Sequence, residues 1–150
     1  MNSFEVTSFL ADSVDLVQGK IYALGIGWNT IFASGFPTQH PRIGLGVLVN
    51  VPYTSTNEDH KLEITLQDED GNQIPLRYIP NADGTQTPDF KFSAQFKLGR
   101  PPALPAGDSQ LMPLAINFDG LVFQKPSMFR WVIEIDGKVV GENSMRVSKQ

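Results

Sequence analysis

Two histidines, His40 and His60, are the only imidazoles the chain has for proton transfer near neutral pH, and it has no cysteine. Nucleophilic catalysis needs a hydroxyl or thiol beside a base that an acid holds in place. Here such a triad would draw on His60, Asp59 and a serine distant in sequence, and no Gly-x-Ser-x-Gly elbow is present. Both histidines lie in polar, loop-like stretches and are expected as exposed loop residues. A small hydrolase is therefore the last of the readings kept. Acidic residues offer a second chemistry. Asp68-Glu69-Asp70-Gly71-Asn72 has the look of a calcium loop, but its glycine comes early and Ile79 stands where an EF-hand places its Glu. The segment reads instead as a hairpin turn whose acids are solvated. A calcium-binding sandwich is an alternative in which Glu58, Asp59, Asp68 and Asp70 gather at one end of the molecule.

Sugar chemistry would need two carboxylates across a cleft. Glu63 and Glu134 fall on outward strand faces by parity, where carboxylates are expected to be solvated. Trp28 and Tyr53, at strand ends or loops, are candidates for a stacking platform toward carbohydrate or protein. Trp131 sits in an apolar register and belongs to the core. Gly25-x-Gly27 and Gly44-x-Gly46 lack the third glycine and the helix of a phosphate cradle. Glycines on one strand face let a neighbouring backbone or aromatic ring come close. No cofactor or metal is expected in the leading reading.

The elements that would position these residues are strands. Ile43, Leu45, Val47, Val49 and Val51 share one face of a strand opposite Gly44, Gly46, Leu48 and Asn50. Leu62, Ile64 and Leu66 repeat the pattern, as do Phe90, Phe92, Ala94, Phe96 and Leu98, and Phe129, Trp131, Ile133 and Ile135. Weaker strands are expected over residues 4–10, 14–17, 21–26, 28–33, 73–78, 111–118 and 139–147. Gln18-Gly19-Lys20, Asp70-Gly71 and Asp136-Gly137 mark hairpin turns, since glycine reaches positive φ at little cost. Residues 37–41, 52–59 and 80–88 read as long loops, and 99–107, with three prolines, as a stiff crossover. No apolar stripe of helical period is sustained. About ten short strands predict one domain, an all-β, antiparallel β-sandwich of immunoglobulin-like or jelly-roll-like form.

Composition agrees. The 150 residues are 41% hydrophobic and 19% charged, which suits a globular domain rather than a disordered chain. Twelve Lys and Arg against sixteen Asp and Glu give a net charge of -4, with the basic residues scattered singly. A nucleic acid is thus not an expected partner. No signal sequence or membrane-spanning segment is evident, and the lack of cysteine suits a reducing compartment, so a cytoplasmic location is expected.

Three stretches resemble a family of small uncharacterised bacterial proteins of unknown function. They are residues 19–28 (Gly-Lys-Ile-Tyr-Ala-Leu-Gly-Ile-Gly-Trp), residues 96–107 with Gly99-Arg100-Pro101-Pro102 followed by Pro113-Leu114-Ala115-Ile116-Asn117, and residues 130–137 ending Ile135-Asp136-Gly137. The resemblance implies a compact β-domain and transfers no activity. Arg100 and Asn117 are expected to satisfy backbone groups beside irregular segments, with ligand binding as the sharper alternative. Taken together, Trp28, Tyr53, His60, Arg100 and Asn117 are the candidate partner- or ligand-binding residues. The leading expectation is a non-catalytic protein-interaction or assembly module, self-associating through the sheet face or edge that residues 43–51 supply.

Overall fold

The computed structural model describes residues 3–150. Twelve strands follow in chain order among them: β1 (Glu5–Ala11), β2 (Ser13–Val17), β3 (Lys20–Leu24), β4 (Thr30–Ala33), β5 (Thr38–Val51), β6 (His60–Asp68), β7 (Arg77–Pro80), β8 (Gln86–Asp89), β9 (Lys91–Phe96), β10 (Gln110–Phe123), β11 (Ser127–Ile135) and β12 (Lys138–Lys149). A single 3-10 turn, Tyr53–Ser55, joins β5 to β6. Two sheets face each other, one ordered β1-β5-β10 and the other β4-β12-β11-β6-β9. The alternation read from the sequence becomes the core. Leu45, Val47 and Val49 of β5 meet Leu62, Ile64 and Leu66 of β6 and Trp131 and Ile133 of β11, and all of these are fully buried. Each buried Leu, Ile or Val contributes about 1.5–3 kcal/mol relative to exposure. Phe118 stacks on Trp131 with ring centroids 4.8 Å apart, and Phe123 meets Phe129 at the same distance, locking one sheet to the other.

A third layer lies on the outside of the smaller sheet. β2 and β3 form a two-stranded ribbon that turns at Gln18 and Gly19, both at positive φ. The ribbon folds back over β5 and β10, where a Cβ on Gly44 would press on the backbone of Ser13 and Val14. Gly46, opposite Phe9 in the β1–β5 register, lies directly beneath the Phe9 ring. The two glycines therefore admit a strand backbone and an aromatic ring, as their strand-face position foretold.

The sandwich expected from the sequence is present, with local departures. β4 pairs with β12 in parallel, Thr30 opposite Arg146, because the chain reaches that edge running the same way as the last strand. Residues 80–88, expected as loop, contain the turn of the β7–β8 hairpin and most of β8. Of residues 73–78, expected as one strand, Gln73 makes a single bridge to Gln67 of β6, and Arg77 and Tyr78 begin β7. β5 starts at Thr38, so the expected loop over 37–41 is largely strand, and His40 pairs with Leu121 inside it. Residues 43–51 occupy the central strand of the smaller sheet, flanked on both edges, with one face in the core and the other overlaid at Gly44 and Gly46. In place of the open sheet face or edge expected of them, they offer no open edge and only the half-buried Leu48 and Asn50 on the outer face. No helix among the described residues is long and apolar enough to cross a membrane.

Candidate functional site

The residues with most chemistry in them meet where β6 begins. His60 is buried, not an exposed loop residue, and its imidazole lies between two acceptors. Nδ1 is 2.6 Å from Asp136 Oδ2, and Nε2 is 2.7 Å from the carbonyl oxygen of Ser55. Asp136 reaches this place because the β11–β12 turn puts it at positive φ beside β6. Its Oδ1 accepts from the Lys61 N–H at 3.0 Å, while its own N–H donates to the Lys61 carbonyl at 2.9 Å. Phe4 meets the imidazole edge-on at 5.0 Å and Phe96 lies against it at 5.2 Å. Burial alone pulls the His60 pKa down. The hydrogen bonds to Asp136 and the Ser55 carbonyl, with the charges of Asp136 and Glu58, outweigh it and hold the value above the ordinary 6.5. Asp136, accepting from His60, is held below the usual carboxylate range.

This is a histidine–carboxylate pair, but a closed one. A general base needs a free ring nitrogen aimed at a hydroxyl or water. Here one nitrogen donates to a carboxylate and the other to a carbonyl, which is the bonding of an imidazolium acting as a clamp between the 3-10 turn and the β11–β12 turn. His40 is half-buried on β5, and burial lowers its pKa.

The same end of the molecule holds two further candidates. The Arg100 guanidinium sits 4.5 Å over the exposed Tyr53 ring, and its nitrogens donate to the carbonyls of Pro105, at 2.6 Å, and Asp108. Arg100 thus fastens the proline-rich crossover into a closed loop and lays it on the 3-10 turn, and the Asn57 N–H donates to the Leu98 carbonyl beside it. His60, Tyr53 and Arg100 form one connected cluster through residues 53–57. Trp28 and Asn117 do not join it. The Trp28 indole N–H donates to the Gly25 carbonyl at 2.8 Å, and its half-buried ring packs against the core, so it is no open platform. Asn117 takes the Val14 N–H on Oδ1 at 3.0 Å and gives Nδ2 to the Val14 carbonyl at 2.8 Å, which fixes the ribbon to β10.

The acidic groups fall apart geometrically. Glu58 and Asp59 precede β6, whereas Asp68 ends it and Asp70 follows, roughly 30 Å away at about 3.3 Å per strand residue. Asp68 is taken up by its own turn, accepting from the N–H groups of Asp70 and Asn72 at 2.9 Å each. Among the described residues no three acidic or imidazole groups gather as a metal would require. Glu63 and Glu134 are direct neighbours across β6 and β11 on one sheet face, not partners across a cleft. Glu63 is neutralised by Lys91 at 3.1 Å and Lys61 at 3.6 Å, the Lys91 bond being the main reason its pKa is lowered.

The ribbon carries what sequence reasoning missed. Its outward face presents Tyr22 and Leu24, 58% and 74% exposed, and Ile26 just beyond is 63% exposed. The signal was there: residues 21–24 and 26 are apolar at both parities, more than one buried face can use.

Two facing sheets with a pinned outer ribbon define an all-β sandwich domain. The chain belongs to the family of unknown function DUF6941, whose model matches residues 6–148. Among solved structures it is similar to an immunoglobulin-like protein from Pseudomonas aeruginosa, at 12% identity and TM-score 0.41, covering 97% of this chain and 96% of that one. It is also similar to part of the alkylpurine DNA glycosylase AlkC from Pseudomonas fluorescens bound to DNA containing an abasic site analog, at 10% identity and TM-score 0.48, covering 97% of this chain and 30% of that one. A third likeness is to a beta-glucosidase from Listeria innocua, at 10% identity and TM-score 0.41, covering 98% of this chain and 16% of that one. The chain spans less than a third of either enzyme's length. No curated protein matches it.

Proposed function

We propose that this chain is a non-catalytic interaction module that binds another protein chain, a second copy of itself included, and that it works in the cytoplasm. The observation that carries the reading is the outer ribbon, which holds Tyr22, Leu24 and Ile26 in solvent. Single exposed apolar residues are ordinary on a domain surface, whereas a group of them on one outer layer marks a contact surface. The closed bonding of His60 supports the non-catalytic part, because the one imidazole that has a carboxylate partner has no nitrogen left for a substrate. The absence of cysteine supports a reducing compartment.

Light scattering on size-separated protein over a wide concentration range tests it. Self-association predicts a mass that rises with concentration in the natural chain and stays at one copy in Leu24→Lys. One-copy mass throughout would end the self-association part. Recovery of the same host proteins by the natural chain and by Leu24→Lys would remove the ribbon as the surface.

A further inference from the structure

The sandwich is open along one flank. The smaller sheet ends at β10 and the larger at β9. Among the described residues, no backbone hydrogen bond joins β10 to any segment but β5. An antiparallel edge strand presents every second N–H and C=O outward, and such a row is a template for another strand. The flank is a slot rather than an open edge. β9 and residues 72–78 stand beside β10 as a wall, enclosing a cavity of about 410 Å³ along residues 116–119 and a second of about 480 Å³ along 119–125. Phe92 and Phe118, edge to face at 6.4 Å, form an apolar floor. The charges at the rim are paired within the chain: Arg77 with Asp89 at 2.8 Å, Lys91 with Glu63 at 3.1 Å, and Arg42 with Asp119 at 2.6 Å. What the slot holds unpaired is main chain and aromatic surface.

We infer that this slot binds an extended segment of another protein chain, which adds to the β10 edge as a fourth strand and turns apolar side chains at alternate positions onto Phe92 and Phe118. The site deepens the interaction-module reading and rests on it. Its length is bounded by the sequence. Pro113 has no N–H to offer, and Gly120, at φ +71°, bends the strand. Residues 114–119 between them give roughly 20 Å of edge at about 3.3 Å per residue. The wall selects the occupant: a lone strand enters, whereas the β10 edge of a second folded copy arrives with its own wall beside it. An apolar occupant suits rim charges that already neutralise one another.

A library of displayed random dodecapeptides, selected on the intact chain, supplies the probe. The expected result is enrichment of peptides with apolar residues at alternate positions. The enriched peptide should slow amide exchange within residues 114–119 of the natural chain. Phe92→Ala, which removes one of the two rings of the slot floor, should weaken its binding by about tenfold or more, the scale of a lost anchor. Leu24→Lys should leave binding unchanged. No enrichment, protection falling outside β10, or undiminished binding to a folded Phe92→Ala would overturn the site. Protection of the same amides on concentrating the chain without peptide would also overturn it, by making a second copy the occupant. The exchange measurement needs no variant to fold. Loss of this site with Leu24-dependent association intact would leave the module reading standing, and the converse result would separate them the other way.

Discussion

The fold raises the proton affinity of His60. Because its folded pKa lies above the unfolded value, the folded state holds that proton more tightly. The stability this contributes is fully present below the ordinary 6.5 and is lost as pH rises through the raised folded value. Asp136 behaves in the opposite sense. Its lowered pKa contributes stability above the ordinary 3.8 that disappears as pH falls through the folded value. The clamp is thus strongest in the mildly acidic range. Above it, a neutral imidazole has one N–H for two acceptors, and the Ser55 carbonyl or Asp136 must face a lone pair. Thermal melts across pH are expected to show the melting temperature falling on the alkaline side in the natural chain, with that limb flattened in His60→Gln. An alkaline limb unchanged in the variant would assign the effect to other groups. The pair was half legible in the sequence. Ile135 and Leu62 come out opposite each other in the observed β6–β11 register, and Asp136 and Lys61 are the next residues along. Local polarity around His60 said loop, and only long-range pairing brings Phe4, Phe96 and Asp136 around it.

At the scale of elements, the ribbon depends on few attachments. Asn117 satisfies both backbone groups of Val14, so Asn117→Ala leaves a donor and an acceptor facing an apolar methyl. The expected cost is about 1–3 kcal/mol. Amides of β2 and β3 should then exchange faster while those of β6 and β11 stay protected. Equal acceleration everywhere would mean that the ribbon and core open together. Strands with one buried face, such as β6 and β11, were readable from period-two alternation because burial itself imposes that period. What alternation does not encode is the partner. The central place of β5, the parallel docking of β4 and the third layer over Gly44 and Gly46 are set by contacts far apart in sequence. The β7–β8 hairpin was missed for a different reason. All of β7 and most of β8 are exposed, so no buried face writes a pattern into them.

Across the whole molecule, one core joins the two main sheets, and the candidate sites fall at three separate places on its surface. The His60 clamp closes one end, the ribbon covers the smaller sheet, and the β9–β10 slot runs along an open flank. The clamp can be tested without disturbing the other two, since variants more than about 7–10 Å apart add independently when they share no partners, whereas the ribbon and the slot meet at Asn117. The two tryptophans described above divide along the same line. Trp131 is fully enclosed, with Phe118 stacked on it and its indole N–H without a partner, while half-buried Trp28 hangs from Gly25 where the ribbon rejoins the body. They make the chain its own two-channel fluorescent reporter. Acrylamide is expected to quench only the redder emission of Trp28 in the native state. Phenylalanine substitution of either indole would then give one optical signal for detachment of the ribbon and another for collapse of the core.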